Sequence, residues 1–392
     1  MIPVKEALEL ISKHSASLTP ERIDLKNALG FILAEDVISP INMPPFDQSA
    51  MDGYALNRTD AIEIYDLNYR IQAGDDASGI HLNPGECARI YTGAMIPSGC
   101  NTVIQQENTS ESEGKVTIVN GADNLNIRPE GEQYKQNEII ASAGQLLNPG
   151  VIGFLASAGI QSANVYPKPK TLIIATGNEL VEAGNELKKG QIYESNAIML
   201  QSALGALNIP TDSIKLADEK EVVVKAFESA LEQYDLILVS GGISVGDYDF
   251  VREAMDVNEV EEIFYKVRQK PGKPLYFGKK KHAIVFGLPG NPSSALTSFY
   301  IYVLPAIQSL TGRNQAFLQQ KHVALTHDFH KKGSLTNFVR AKISEHGVTV
   351  LSHQSSAMLN AWSEANALLM IPDESNECKE GELFTAFLLP AY

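Results

Sequence analysis

Hydrophobic positions change their period along the chain. Near the N-terminus Val4, Ala7, Leu8 and Ile11 recur at helical spacing, which predicts a helix over Val4 to Ser12, and a second short helix is expected around Asp24 to Ala34. Residues 36 to 150 then read as short extended runs, YRIQA, ECARIYTG, NTVIQQEN, GKVTIVN and NEIIASAGQ, broken by Gly, Pro, Asn and Asp. That is the texture of a β-rich domain with tight turns. A helix around Pro149 to Gly159 closes it, and YPKPK, whose prolines favour extended backbone, marks a boundary.

Beyond Lys170 strands and helices alternate. TLIIATG, a helix over SNAIMLQSALGALN, SIKLA, a helix over EKEVVVKAFESALEQY and DLILVSGG follow one another, then AIVFGLPG and a long helix through NPSSALTSFYIYVLPAIQSL. This order predicts a doubly wound α/β domain with a mostly parallel sheet. TLIIATG and DLILVSGG are continuous apolar runs, as strands covered on both faces should be. From about Gln315 to Tyr392 alternating strands return (HVALTHDF, NFVRAKISE, GVTVLS, NALLMIP, ELFTAFLLP), predicting a small β domain or barrel. The whole reads as a multidomain α/β protein without internal repeats.

Length and charge narrow the function. A chain of 392 residues is long enough for about two to three domains. Its net charge of −15 repels polyanions, so no nucleic-acid partner is expected without a local basic patch, and any anion must be captured locally. Cys87, Cys100 and Cys378 show no paired spacing, which argues against a disulfide framework or zinc knuckle and for a reducing, cytoplasmic setting. The N-terminus lacks a hydrophobic signal core, and no apolar run approaches the roughly 18 residues of a membrane span. No membrane role is expected.

Several segments carry candidate chemistry. PPFDQSAMDGYAL, residues 44 to 56, reads either as an ordered turn in which Asp47 and Asp52 accept backbone amides, or as a rigid loop presenting Asp52 to a metal or polar ligand. TGNEL, residues 176 to 180, ends a buried strand, so Gly177 allows close backbone approach and Glu179 stands where a cation or hydroxyl could bind. SGGISVGDYDF, residues 240 to 250, suits a polar ligand wrapped by backbone amides; its G-x-S-x-G match at Ser244 is a poor nucleophile elbow, because no helix follows directly. KVRQKPGKPLYFG, residues 266 to 278, sets Lys266, Arg268, Lys270 and Lys273 around a Pro-Gly turn, which reads either as a solvated hairpin or as an oxyanion site on an acidic protein. GLPGNPSSA, residues 287 to 295, opens a helix with Asn291, Pro292, Ser293 and Ser294 and leaves amides facing the crevice. Walker A, G-x-G-x-x-G and H-E-x-x-H motifs are absent. His327 and His330 read as surface residues of a turn, and Trp362 as packing.

Taken together, PPFDQSAMDGYAL, RIYTGAMIPSGCNTVI, NIRPEGE, TGNEL, SGGISVGDYD, KPGKP and GLPGNP stand in the order typical of the MoeA family of molybdopterin molybdenumtransferases, to which the E domain of gephyrin is related. The resemblance runs through essentially the whole chain. It implies that molybdenum from molybdate is inserted into the dithiolene of adenylylated molybdopterin, with AMP released and molybdenum cofactor formed, aided by a divalent cation, usually Mg²⁺. It implies a homodimer of four-domain subunits and a MogA-type adenylyltransferase as partner. The domains would be residues 1–40 with 141–168 (helical, dimerising), 41–140 (β-rich insertion), 169–313 (MogA-like α/β, molybdopterin-binding) and 314–392 (C-terminal β-barrel).

Position by position, the resemblance assigns catalytic roles to Asp52, Thr92, Glu179, Asp218, Asp249, Lys266 and Lys270. Gly177, Ser240, Gly241, Gly242, Ser244, Gly246, Pro289, Gly290 and Asn291 would hold the pterin and its phosphates. Lys270, Lys273, Ser293, Arg340 and Ser356 would form the molybdate pocket, and Glu179, Asp249 and Asp52 the metal site. The family commonly has Asn where Gln48 stands, and a basic stretch where this chain has Arg128-Pro129-Glu130. Two other readings remain: a non-catalytic cofactor-binding or scaffold protein, and a hydrolase acting through Ser244.

Overall fold

The computed structural model describes residues 1–59, 61–120, 125–242 and 250–390. By its internal contacts the chain divides into two compact units, Met1–Glu21 with Val165–Tyr392, and Arg22–Asn164.

The Arg22–Asn164 unit is built on a six-stranded sheet in the order Thr102–Gln105, Gly53–Leu56, Glu86–Ile90, Ile64–Ile71, Lys115–Ile118, Thr109–Ser112. Alternating residues feed two cores. Ala55, Ala88, Ile90 and Val103 pack on one face, and Tyr54, Leu56, Cys87 and Ile104 on the other. Gly53 is required by space, since a Cβ there would lie 2.0 Å from the Ile104 carbonyl oxygen. This fixes the glycine of MDGYA. The helix expected near Pro149 forms over Pro149–Ser157, with Asn148 Oδ1 accepting from the Val151 amide at 3.0 Å and Pro149 in the first turn.

The helix expected around Asp24 to Ala34 does not form. Only a single 3₁₀ turn, Leu25–Asn27, is helical, and Ile32–Leu33 is extended. Leu25, Ala28 and Ile32 are all buried, so their helix-like spacing is real, but tertiary partners claim the backbone. The amides of Leu25, Gly30 and Leu33 donate to the carbonyls of Gln161, Leu147 and Gln145, and Gly30 has φ 80°.

In the other unit, six strands run in the order Thr211–Leu216, Thr171–Thr176, Leu236–Ser240, Ala283–Leu288, Tyr276–Lys280, Glu261–Tyr265. The first four are parallel, Tyr276–Lys280 runs antiparallel to them, and Glu261–Tyr265 pairs antiparallel with that strand. Ile173, Leu238 and Phe286 point into one core with the helix Asn196–Gly205, while Leu172, Ile237 and Val285 point into the other, against Lys220–Gln233 and Phe250–Val257. This is the doubly wound arrangement. The N-terminal helix, Val4–His14, adds Ala7 and Ile11 to the first core.

The long helix after GLPGNP spans Pro292–Ser298, a π-helical stretch Phe299–Val303, and Leu304–Leu310. Pro305 has no N–H to return to the preceding turn, and a widened turn just before it absorbs the mismatch. The C-terminal strands form a sheet in the order Gln269–Lys270, Thr336–Ser344, Ala367–Ile371, Leu383–Leu388, Gln320–Ala324, with Gly347–Val350 also paired to Thr336–Ser344. A bridge between Leu325 and Val348 brings its far edges together, so the sheet curls around Val339, Leu369 and Ala386. Among the described residues no helix is long and apolar enough to cross a membrane.

Candidate active site

The carboxyl ends of Thr171–Thr176, Leu236–Ser240 and Ala283–Leu288 open into a cleft of about 640 Å³. Ligands of open α/β sheets bind in this position. Thr176 and Gly177, Ser240 to Gly242, and Pro289 to Asn291 line it. Asn196, at the start of its helix, donates from Nδ2 to Ser240 Oγ at 2.7 Å and to the Gly290 carbonyl at 2.8 Å, tying two strand-end loops together. The walls are acidic: Glu179, Glu194 and Asp218 line the cleft, and no described Lys, Arg or His does. Asp218 and Asn178 hold each other reciprocally, each backbone amide donating to the other's side chain at 3.1 and 3.3 Å. Glu194 Oε1 accepts from the Ala197 amide at 2.8 Å and so caps the helix.

A second cavity of about 740 Å³ adjoins the first and shares Pro274, Pro289 and Asn291 with it. Its sign is opposite. Lys270, Lys273, Lys331, Lys332 and Arg340 line it with His330, and no described carboxylate does. The turn bearing Lys270 and Lys273 is fixed from beneath. Gln269 is fully buried, its Nε2 donates to the Gly272 carbonyl at 3.0 Å, and its Oε1 accepts from the Tyr302 hydroxyl. Gln269–Lys270 also pairs in parallel with Thr336 and Asn337, on the strand that carries Arg340.

Arg340 is 1% exposed. Its guanidinium donates to the carbonyls of His353 and Ser355 at 3.0 and 3.2 Å, its Nε has no partner among the described residues, and burial pulls its pKa down to about 10. It remains a cation at neutral pH, buried without a counter-charge among the described residues. Lys331 is equally buried, but its ammonium is satisfied by the carbonyls of Leu335, Pro372 and Asp373 at 2.6 to 3.0 Å.

The remaining residues named from sequence fall as follows. Ser356 lines the cationic cavity and accepts from Asn291 Nδ2 at 3.1 Å. Ser293 is fully buried with its hydroxyl accepting from Trp362 Nε1 at 2.9 Å, and its neighbour Ser294 lines the cavity. Lys266 has φ 70°, sets its ammonium 4.6 Å from the Tyr265 ring centre, and lines neither cavity. In the Arg22–Asn164 unit, Asp52 Oδ1 accepts both the amide and the hydroxyl of Thr92, each at 2.8 Å. Those two donors, the amide foremost, hold the carboxyl below its usual range, with Arg89 adding to the effect. Asp47 likewise accepts the Glu130 amide at 2.7 Å. Ser244, Gly246 and Asp249 lie outside the described residues. Of the metal set, Glu179 lines the acidic cleft and Asp52 stands beside Thr92; among the described residues no group of three His, Cys, Asp or Glu side chains is placed to hold a metal by itself.

Comparison with known proteins decides the family. Residues 2–159 match the model of the MoeA N-terminal region, residues 172–309 that of a probable molybdopterin binding domain, and residues 322–389 that of the MoeA C-terminal region. The molybdopterin molybdenumtransferases of Staphylococcus epidermidis and Staphylococcus aureus are 34% and 33% identical, the matches covering 99% and 97% of this chain and 95% and 94% of theirs. The chain belongs to the MoeA family. Two crystal structures of the molybdopterin biosynthesis MoeA protein from Pyrococcus horikoshii share its fold, with TM-scores of 0.86 and 0.81 at 30% and 27% identity, over 100% and 99% of this chain and 100% of each of theirs.

Within this MoeA chain, sequence reasoning passed over Glu194, Asn196, Lys331 and Lys332, all of which line one of the cavities. Tyr193-Glu194-Ser195-Asn196 at a helix start was a usable signal, because a carboxylate and an amide there face the same end of the sheet. Nothing local marks Lys331, whose burial depends on Pro372 and Asp373.

Proposed function

We propose that this chain is a molybdopterin molybdenumtransferase, inserting molybdenum from molybdate into the dithiolene of adenylylated molybdopterin and releasing AMP as molybdenum cofactor forms. The observation that carries this reading is the junction of an acidic and a cationic cavity at Pro274, Pro289 and Asn291. A tetrahedral dianion needs fixed cations and hydroxyls, because the acidic chain supplies no background attraction. Lys270, Lys273 and Arg340 with Ser356 would seat it, and Ser293 would hold the Ser356 loop through its amide, 3.1 Å from the Ser356 carbonyl. The pterin would lie across the shared wall, against Gly177, Ser240 to Gly242 and Pro289 to Asn291. Its dithiolene then meets the oxyanion where the two cavities join.

Magnesium dependence belongs to the same proposal. The oxygen donors of Glu179 and Asp218 suit a hard cation that keeps most of its waters and reaches a substrate phosphate. When bound, such an ion would neutralise charge developing on the departing AMP. We extend the proposal to a homodimer, to a MogA-type adenylyltransferase that supplies the substrate, and to the cytoplasm, where the free thiols Cys87, Cys100 and Cys378 would stay reduced. The four-domain division given above is part of it.

The test is AMP release and cofactor formation from adenylylated molybdopterin with magnesium, with and without molybdate. Molybdate-dependent turnover is expected from the natural chain and its loss from Lys270→Ala. Tight pterin binding with no AMP release from the natural chain would indicate a scaffold instead.

A further inference from the structure

Two polar atoms of the acidic cleft have no partner among the described residues. Thr176 Oγ1 and Asn196 Oδ1 are buried in residues only 4% and 8% exposed, and neither makes a hydrogen bond to a described residue. Both residues line the cleft. Turning the Asn196 amide would not help, because its Nδ2 already donates to the Gly290 carbonyl, which can only accept, so Oδ1 must face the other way. Thr176 is held as firmly. It ends a strand buried along its whole length, and Gly241 and Gly242 pass over it so closely that a Cβ on either would come within 3.2 or 2.9 Å of the hydroxyl.

Buried polar atoms are almost always paired, and those left open in a native protein point to what completes them. The walls say what that is. Glu179, Glu194 and Asp218 line the same cleft and no described cation does, so wherever no metal ion bridges to it a phosphate is disfavoured, and a ligand edge rich in N–H donors suits the open oxygens. Resting on the reading that this cleft holds the pterin, we infer that Asn196 and Thr176 recognise the aminopyrimidinone edge of the pterin ring, Asn196 Oδ1 accepting one of its N–H groups and the Thr176 hydroxyl bonding an adjacent polar atom. Asn196 then has two tasks. Its Nδ2 ties the Ser240 and Gly290 loops, and its Oδ1 reads the ligand they enclose.

The experiment measures binding of molybdopterin and of adenylylated molybdopterin, by quenching of pterin fluorescence, to the natural chain, Thr176→Val, Thr176→Ser and Asn196→Ala, alongside thermal melting. Thr176→Val removes a hydroxyl that has no partner among the described residues, so it should melt at or above the natural temperature. Its affinity for both ligands should fall by about tenfold, with Thr176→Ser restoring most of it, and Asn196→Ala should lose at least as much. Natural affinity in Thr176→Val, or a melting temperature that falls in step with affinity, overturns the inference. A loss confined to the adenylylated ligand also overturns it, since the contacts would then belong to the nucleotide. Failure of the natural chain to bind either ligand would sink the functional reading itself.

Discussion

Asn291 donates from Nδ2 to Ser356 Oγ across 3.1 Å, joining the loop after the buried strand Ala283–Leu288 to a loop of the C-terminal sheet. Asn291 also lines both cavities, so this bond holds part of their common wall. Asn291→Ala is expected to raise KM for molybdate and for the pterin substrate by about tenfold each, with a stability loss of only about 1 kcal/mol. Steady-state kinetics with each substrate varied in turn checks this. A change in one KM alone would show that the wall is not shared in function.

Arg340 is a buried cation whose charge no described carboxylate balances. Arg340→Lys keeps the charge but loses the planar fork, and the rise in melting temperature produced by molybdate should shrink markedly. Arg340→Ala should in addition cost about 2–4 kcal/mol, because the carbonyls of His353 and Ser355 lose their donor. Thermal melts with and without molybdate separate these effects, and equal stabilisation of Arg340→Lys and the natural chain would count against an anion at this position.

The Asp52 carboxyl is held below its ordinary pKa chiefly by the Thr92 amide and hydroxyl. A depressed carboxylate stabilises the fold above its unfolded pKa, and that contribution is lost as pH falls through the lower, folded value. Thr92→Val keeps the amide donor and removes the hydroxyl, so the Asp52 pKa should move up toward the ordinary carboxylate range, measured by carboxyl ¹³C titration. Asp52 stays ionised at neutral pH in both forms. Any activity lost by Thr92→Val near pH 7 therefore reflects the placement of the carboxylate and not its charge, and a pH–rate profile shifted at neutral pH would contradict this.

Gly272 has φ 84°, and a Cβ on it would stand 2.9 Å from Ser298 Oγ and 3.1 Å from Gln269 Nε2. Gly272→Ala should cost about 1–3 kcal/mol and displace the turn that carries Lys270 and Lys273. Tyr302→Phe acts more gently, removing the donor to Gln269 for about 1 kcal/mol. It should raise KM for molybdate while leaving that for the pterin unchanged, and equal effects on both would refute a role confined to the lysine turn.

The elements legible in the sequence are those whose signal is repeated. Thr171–Thr176 and Leu236–Ser240 are apolar at nearly every position because helices cover both faces of the sheet, and the motifs at their ends locate the crevice. Asp24 to Ala34 had a comparable apolar spacing and still folds otherwise, because the amides of Leu25, Gly30 and Leu33 find acceptors more than a hundred residues away.

By itself, then, the amino-acid sequence determined the layered α/β architecture, the family and the position of the crevice, since periodicity and ordered motifs are properties of neighbouring residues. Only the tertiary structure decided that the crevice has two halves of opposite charge, that Arg340 is buried with no counter-ion among the described residues, and that Thr176 and Asn196 keep polar atoms in one cleft that no described residue pairs. Burial and pairing depend on groups distant along the chain: Arg340 meets Lys270 and Lys273 around one cavity only after the C-terminal sheet pairs with Gln269–Lys270. A charge carries no mark in the sequence of the charges it will face once the chain has folded.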